Sequence, residues 1–105
     1  MVHMTDRERR VGLHLPLEVS GQEVSGASFS EESRTVNISG GGLCFETRRD
    51  LLLGARISLQ IQLPSGLRKH FGGKAVYKAK AMVCRVERAS DEEPAKVGVR
   101  FLGEL

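Results

Sequence analysis

Two groups of residues in this chain have types and spacings suited to holding an anion or the edge of a purine base. They are the segment Asn37-Ile38-Ser39-Gly40-Gly41-Gly42 and the arginines Arg7, Arg9 and Arg10. In an extended chain Asn37 and Ser39 point to the same face, so an amide and a hydroxyl are presented together. Gly41 and Gly42 allow a sharp turn, or the close approach of a ligand to the backbone. Arginine supplies charge-assisted hydrogen bonds to phosphate.

A purely structural interpretation of both groups stays open. Asn37 and Ser39 are also typical of residues that cap a turn through side chain-to-backbone hydrogen bonds. The three arginines also fit a mobile basic terminus. The two interpretations differ in whether the groups meet around a ligand.

The residues that serve as nucleophiles or bases in enzymes are scattered along the chain. They are Ser39, Cys44, Cys84, His3, His14 and His70. None lies in a nucleophile elbow, and no carboxylate is spaced to pair with a histidine. The sequence has no Cys-x-x-Cys motif for zinc, and the glycine segment lacks the Lys-Ser/Thr of a phosphate-binding loop. We therefore expect a binding protein with no catalytic residues, no metal and no cofactor.

Length and composition predict one small soluble domain. The chain has 105 residues, and we expect a flexible basic loop over 1–12 and a single domain over 13–105. No apolar run is long enough for a membrane span, and the polar start does not indicate a signal peptide. Cys44 and Cys84 are expected to be buried, unpaired thiols, which favours a cytoplasmic protein.

The net charge of +3 is unevenly distributed. Residues 48–88 carry ten Lys and Arg against two acidic residues. This basic block fits the solvated face of a hairpin, or a surface for a protein partner. A nucleic-acid platform around Phe71 and Tyr77 is disfavoured, because four Phe, one Tyr and no Trp are too few aromatic rings for base stacking.

The hydrophobic pattern is that of β-strands throughout. Apolar residues alternate with polar ones from Leu13 to Val19 and, most clearly, from Ile57 to Leu63. We interpret Gly21–Ser33 as a turn or loop holding at most a short strand. The inward phase of a later strand changes between Ala81 and Cys84, which predicts a β-bulge. About six short strands favour an all-β fold, a small six-stranded antiparallel barrel with little or no helix.

The chain resembles the PilZ domain family. That family has an Arg-x-x-x-Arg segment before the first strand and Asp/Asn-x-Ser-x-x-Gly further on, which Asn37 to Gly42 matches. The similarity extends to Leu15-Pro16-Leu17-Glu18-Val19, Gly42-Leu43-Cys44-Phe45-Glu46 and Val97-Gly98-Val99-Arg100-Phe101. The resemblance implies a β-barrel receptor for cyclic di-GMP. The implied ligand-binding residues are Arg7, Arg9, Arg10, Asn37, Ser39, Gly41 and Gly42.

The first half of the family motif departs from the pattern. Arg10 occupies the place of the second motif arginine, but Asp6 stands four residues earlier, and Arg7 and Arg9 are out of register. Arg7 then has to substitute with an Arg-x-x-Arg spacing. The alternative function is a degenerate PilZ adaptor that does not bind the nucleotide and acts through protein–protein contacts.

Overall fold

The computed structural model describes residues 12–105, and these form a closed antiparallel β-barrel. Six strands and one short 3-10 helix occur within this range. The strands are β1 (Pro16–Gln22), β2 (Ser28–Ser39), β3 (Gly42–Thr47), β4 (Arg56–Gln62), β5 (Val76–Glu87) and β6 (Ala95–Glu104), and the helix is Ser65–Phe71. Around the barrel their order is β1-β2-β3-β6-β5-β4. The predicted six-stranded barrel is confirmed.

The core is the inward face of these strands. On β4, Ile57, Leu59 and Ile61 are buried while the residues between them face solvent or are half-buried. The largest fully buried side chains include those three residues with Ile38, Leu43 and Phe45. Closure of the barrel pairs every strand with two neighbours, so no ladder edge within 12–105 is left open.

The interpretation of Gly21–Ser33 as a loop is wrong. β1 continues to Gln22, a short turn follows, and β2 begins at Ser28 and runs for 12 residues. Its first half consists mainly of serines and glutamates, with Phe29 as the buried apolar residue. Strong pairing with β1 from Gln22↔Ser28 to Pro16↔Arg34 holds this polar segment in the sheet. Tertiary pairing has overridden a weak local preference.

The register of strand pairing shifts at three places within residues 12–105. The predicted bulge on β5 lies between Val83 and Arg85, where the pairing with β6 shifts register. Cys84 is the extra residue at this bulge and is exposed, so its predicted burial is wrong. Cys44 is buried as predicted, and neither cysteine forms a disulfide. A second shift lies on β2 between Thr35 and Asn37, and a third lies between Lys80 and Ala81, where β5 pairs with β6.

Candidate functional site

The turn between β2 and β3 consists of Gly40 and Gly41, since Ser39 pairs directly with Gly42. The Ser39 hydroxyl closes this turn. It accepts a hydrogen bond from the Gly41 amide at 3.2 Å and donates to the Gly42 carbonyl oxygen at 3.3 Å. The Phe101 amide of β6 donates to the Gly41 carbonyl oxygen at 2.9 Å. The turn is therefore fixed both by its own serine and by the last strand.

Gly42 is a glycine because β6 passes against it. A Cβ atom at this position would lie 2.1 Å from the Val99 carbonyl oxygen and 3.2 Å from the Arg100 Cα. Real side chains do not tolerate such a distance to a backbone atom, so the lack of a side chain lets β3 and β6 approach. The sequence predicts that these glycines allow a sharp turn or leave space for a ligand. At Gly42 the space that a side chain would take is occupied by the backbone of β6.

A row of small residues crosses the outer face beside the turn. Asn37 pairs with Cys44, Cys44 with Gly98, and Gly98 with Arg85. Ile38 and Leu43 form the neighbouring pair and are buried inward, so Asn37 and Cys44 lie on the outer face. The Arg85 side chain lies over Gly98, with its Nε 3.6 Å from where a Cβ would be. We call this row the floor: it has a guanidinium group at one end, and Cys44 within it is only 3% exposed.

Arg100 is a second cation on this outer face, in the next outward-facing row of paired residues. It is exposed, and it pairs with Gly42 of β3 and with Met82 of β5. Arg85 makes a 3.0 Å ion pair with Glu87, in which both side chains are well exposed. An exposed pair of this kind contributes little stability, so Glu87 binds Arg85 only weakly. Two arginines thus lie on the same outer face as Asn37 and Ser39.

Sequence reasoning did not select Arg85 or Arg100 as site residues. Both belong to strands that lie far from Asn37 in the sequence, and they reach it because β3 pairs with β6 rather than with β4. The sequence does indicate that Arg100 points outward, because it alternates with Val99 and Phe101 in the last strand. This alternation does not reveal which strand lies next to the glycine turn.

The start of the described chain is fastened to β2 close to Asn37. The Thr35 hydroxyl accepts a hydrogen bond from the Leu15 amide at 2.8 Å and donates to the Leu13 carbonyl oxygen. The Thr35 amide also donates to the Leu15 carbonyl oxygen at 3.0 Å, and His14 Nδ1 donates to the Thr35 carbonyl oxygen at 3.0 Å. The segment before β1 therefore lies against the β2 bulge, two residues from Asn37.

We predict that Thr35→Val destabilises the protein and frees this segment. Thr35 is fully buried, and valine keeps its shape but leaves the Leu15 amide and the Leu13 carbonyl without this partner. Leaving such buried polar groups unpaired costs about 1–3 kcal/mol. Chemical denaturation measures the loss. Thr35→Ser is the matched control, because it keeps the hydroxyl, and a loss as large in Thr35→Ser as in Thr35→Val contradicts the role of the hydrogen bonds.

The arginines predicted to bind the ligand, Arg7, Arg9 and Arg10, lie outside the described residues, as does almost all of the predicted 1–12 loop. Among residues 12–105, no group of three or more His, Cys, Asp and Glu side chains is placed to hold a metal ion. In the same part of the chain, no helix has the length and apolar character needed to cross a membrane.

Comparison with known proteins identifies the family. The sequence model of the PilZ domain matches residues 5–104, so the chain belongs to the PilZ domain family. A search of curated protein sequences finds no match.

Two solved structures share the fold. The Bacillus subtilis inhibitor of motility MotI/DgrA is 18% identical, with a TM-score of 0.68 over 91% of this chain and 42% of that one. The chain thus spans less than half the length of MotI/DgrA. The PilZ domain of Escherichia coli YcgR, solved with c-di-GMP, is 14% identical, with a TM-score of 0.58 over 90% of this chain and 76% of that one.

Proposed function

We propose that this protein is a cyclic di-GMP receptor that holds the ligand between its N-terminal arginines and the outer face of β2, β3 and β6. The observation that carries the proposal is the fastening of Leu13 and Leu15 to Thr35. This anchor places Leu13, three residues after Arg10 in the sequence, close to Asn37 rather than at the far end of the barrel. Membership of the PilZ family, and the c-di-GMP in the YcgR structure, support the choice of ligand.

The length of the N-terminal segment supports this arrangement. Arg10 precedes Leu13 by three residues and Arg7 precedes it by six. A chain spans at most about 3.3–3.6 Å per residue, so from the anchor Arg10 can reach about 10 Å and Arg7 about 20 Å. Asn37 lies about 7 Å along β2 from Thr35. Each of the three arginines is therefore within reach of the floor beside the glycine turn.

The chemistry of the ligand matches the groups collected there. Cyclic di-GMP carries two phosphates and two guanine bases. Arginine binds phosphate through its planar fork, stacks on bases, and pairs with guanine O6 and N7. The Asn37 amide adds polar contacts to a base edge or phosphate. Ser39 acts mainly by fixing the turn, since its hydroxyl is already bonded to Gly41 and Gly42.

We predict that Arg100→Ala weakens cyclic di-GMP binding. Arg100 lies beside Gly42 and is exposed, and a charge-assisted hydrogen bond contributes about 1.5–3 kcal/mol, so the loss is about tenfold or more. Arg56→Ala is the matched control. Arg56 lies in the same row beyond Met82, on the far side of β5. Fluorescence anisotropy with labelled ligand measures both variants, and equal affinities for the two contradict a contact by Arg100.

The degenerate adaptor is the second candidate function, and Asp6 at the first motif position favours it. Isothermal titration of the full chain with cyclic di-GMP separates the two. The receptor gives saturable heat, whereas the adaptor gives none. Asp6→Arg is the informative variant, because binding that appears only after this change identifies the parent as a degenerate receptor.

The proposed role is binding rather than catalysis, and the proposed compartment is the cytoplasm. Neither Cys44 nor Cys84 forms a disulfide, and cysteines outside disulfides fit a reducing compartment. Any output would pass to a protein partner, and nucleic acid is not the proposed ligand.

A further inference from the structure

A patch of exposed apolar side chains lies at the end of the barrel opposite the glycine turn. It consists of Val24, Leu52 and Leu53, which are 55%, 57% and 66% exposed, and we call it the end patch. Val24 is in the turn between β1 and β2, and the leucines are in the connection between β3 and β4. Leu51, just before them, is buried and anchors that connection in the core.

The end patch is distinct from the proposed nucleotide site. None of its three residues belongs to the paired rows that carry Asn37 and Gly42. The two surfaces approach each other across β5, because the Gly54 amide and the Ala55 carbonyl oxygen pair with Val83, two residues before Arg85. The patch therefore needs an explanation of its own.

The two segments that carry the patch are tied to each other. The Val24 amide donates to the Asp50 carbonyl oxygen at 3.0 Å, and Glu23 accepts from the Asp50 amide at 3.4 Å. Arg49 lies 3.5 Å from the Glu23 carboxylate and also stacks over the Phe29 ring at 5.2 Å. These contacts hold Val24 close to Leu52, with which it lines a common recess. The exposed side chains thus form a fixed surface rather than two independent loops.

The patch borders a recess with a cation at its edge. The recess has a volume of about 340 Å³ and is lined by Val24, Leu52 and Ala55, and by Gln22, Glu23 and Arg56. The acidic groups nearby are already matched, since Glu23 faces Arg49 and Asp50 lies 3.7 Å from Arg88. Arg56 is exposed and has no ion-pair partner among residues 12–105. The unmatched charge beside the apolar recess is therefore positive.

We propose that the end patch binds a short acidic and apolar segment of a partner protein. An apolar side chain of that segment fills the recess between Val24 and Leu52, and an adjacent carboxylate pairs with Arg56. Charge complementarity decides the class of partner, because the recess is lined by Arg56, which has no ion-pair partner among residues 12–105, whereas Glu23 and Asp50 face Arg49 and Arg88. A basic segment or a nucleic acid does not fit this combination of exposed leucines and arginine. The inference does not depend on nucleotide binding at the other end.

Selection of random dodecapeptides displayed on phage against the full chain tests this proposal. We expect the enriched peptides to contain Asp or Glu next to Leu, Ile or Phe. Leu52→Ser with Leu53→Ser should weaken the selected peptides about tenfold or more, because the buried apolar contact is lost. Arg56→Glu should weaken them as well. Circular dichroism establishes that the variants fold, which is expected since these side chains are exposed.

A matched control removes two leucines elsewhere. Leu102 and Leu105 are also exposed, at 42% and 61%, and lie in the last residues of the chain. The double change of these two to serine should leave peptide affinity unchanged. The proposal is overturned if no peptide is enriched, if the enriched peptides are basic, or if both double variants lose affinity equally. Sedimentation that reveals a dimer dissociated by the Leu52 and Leu53 changes also overturns it, in favour of a second copy of this chain.

Discussion

Replacing Gly42 by alanine should lower the melting temperature by roughly 4–24 °C, given about 1–3 kcal/mol for overpacking and about 4–8 °C per kcal/mol in a domain of this size. The reason is the 2.1 Å distance between the added Cβ and the Val99 carbonyl oxygen. That oxygen is backbone and cannot move without shifting β6. Differential scanning calorimetry measures the change.

Gly66→Ala is the matched control for this prediction. A Cβ at Gly66 meets no atom within 4 Å, and the residue lies in the 3-10 helix rather than between strands. Its melting temperature should stay close to that of the parent. If Gly42→Ala is as stable as Gly66→Ala, the close approach of β3 and β6 is not what requires glycine. Gly42→Ala should also weaken nucleotide binding, because the Gly40–Gly41 turn next to it has to shift.

The second large effect is expected on affinity. Arg10→Ala should weaken cyclic di-GMP binding by about 10- to 150-fold, the equivalent of one charge-assisted interaction of about 1.5–3 kcal/mol. Arg10 precedes the anchored Leu13 by three residues, so it is the arginine with the shortest tether to the floor beside Asn37. Arg7→Ala should cost a comparable amount if Arg7 substitutes for the motif arginine missing at Asp6. Isothermal titration at constant ionic strength gives each affinity.

Arg48→Ala controls for the loss of one positive charge. Arg48 follows β3 at the end of the barrel away from the glycine turn, where it donates to the Glu92 carbonyl oxygen. Its removal changes the net charge by the same amount without touching the proposed site. Equal losses of affinity for Arg48→Ala and Arg10→Ala would indicate general electrostatic attraction rather than a specific contact. Unchanged affinity in both Arg10→Ala and Arg7→Ala would contradict a role of the N-terminal segment in binding.

The barrel was predictable because most of its strands bury one face and expose the other. Ile57, Leu59 and Ile61 alternate with polar residues, and this pattern specifies a strand and its inward face without further information. The first half of β2 was missed because its outward residues are serines and glutamates, which are common in loops. It is a strand because β1 pairs along it, and pairing is a property of the fold rather than of the segment.

The candidate site was predictable only in its local part. Asn37 to Gly42 is a continuous segment, so its turn and polar side chains could be inferred from spacing. Arg85 and Arg100 join it through the pairing of β3 with β6 and of β6 with β5, which no sequence period reveals. The anchoring role of Thr35 could not be predicted for a different reason. It depends on a buried hydroxyl that is hydrogen-bonded to Leu13 and Leu15, and a single threonine in a strand-like sequence does not indicate such bonds.

The most direct test of the central claim is an NMR titration of the isotope-labelled full chain with cyclic di-GMP. We expect saturable amide shifts in residues 7–10 and 37–42, and around Arg85 and Arg100. In the variant with Arg7, Arg9 and Arg10 all changed to alanine, the same titration should give much smaller shifts. No shifts at about 100 µM ligand, where a micromolar receptor is saturated, would contradict the receptor. Shifts confined to other surfaces would contradict the site.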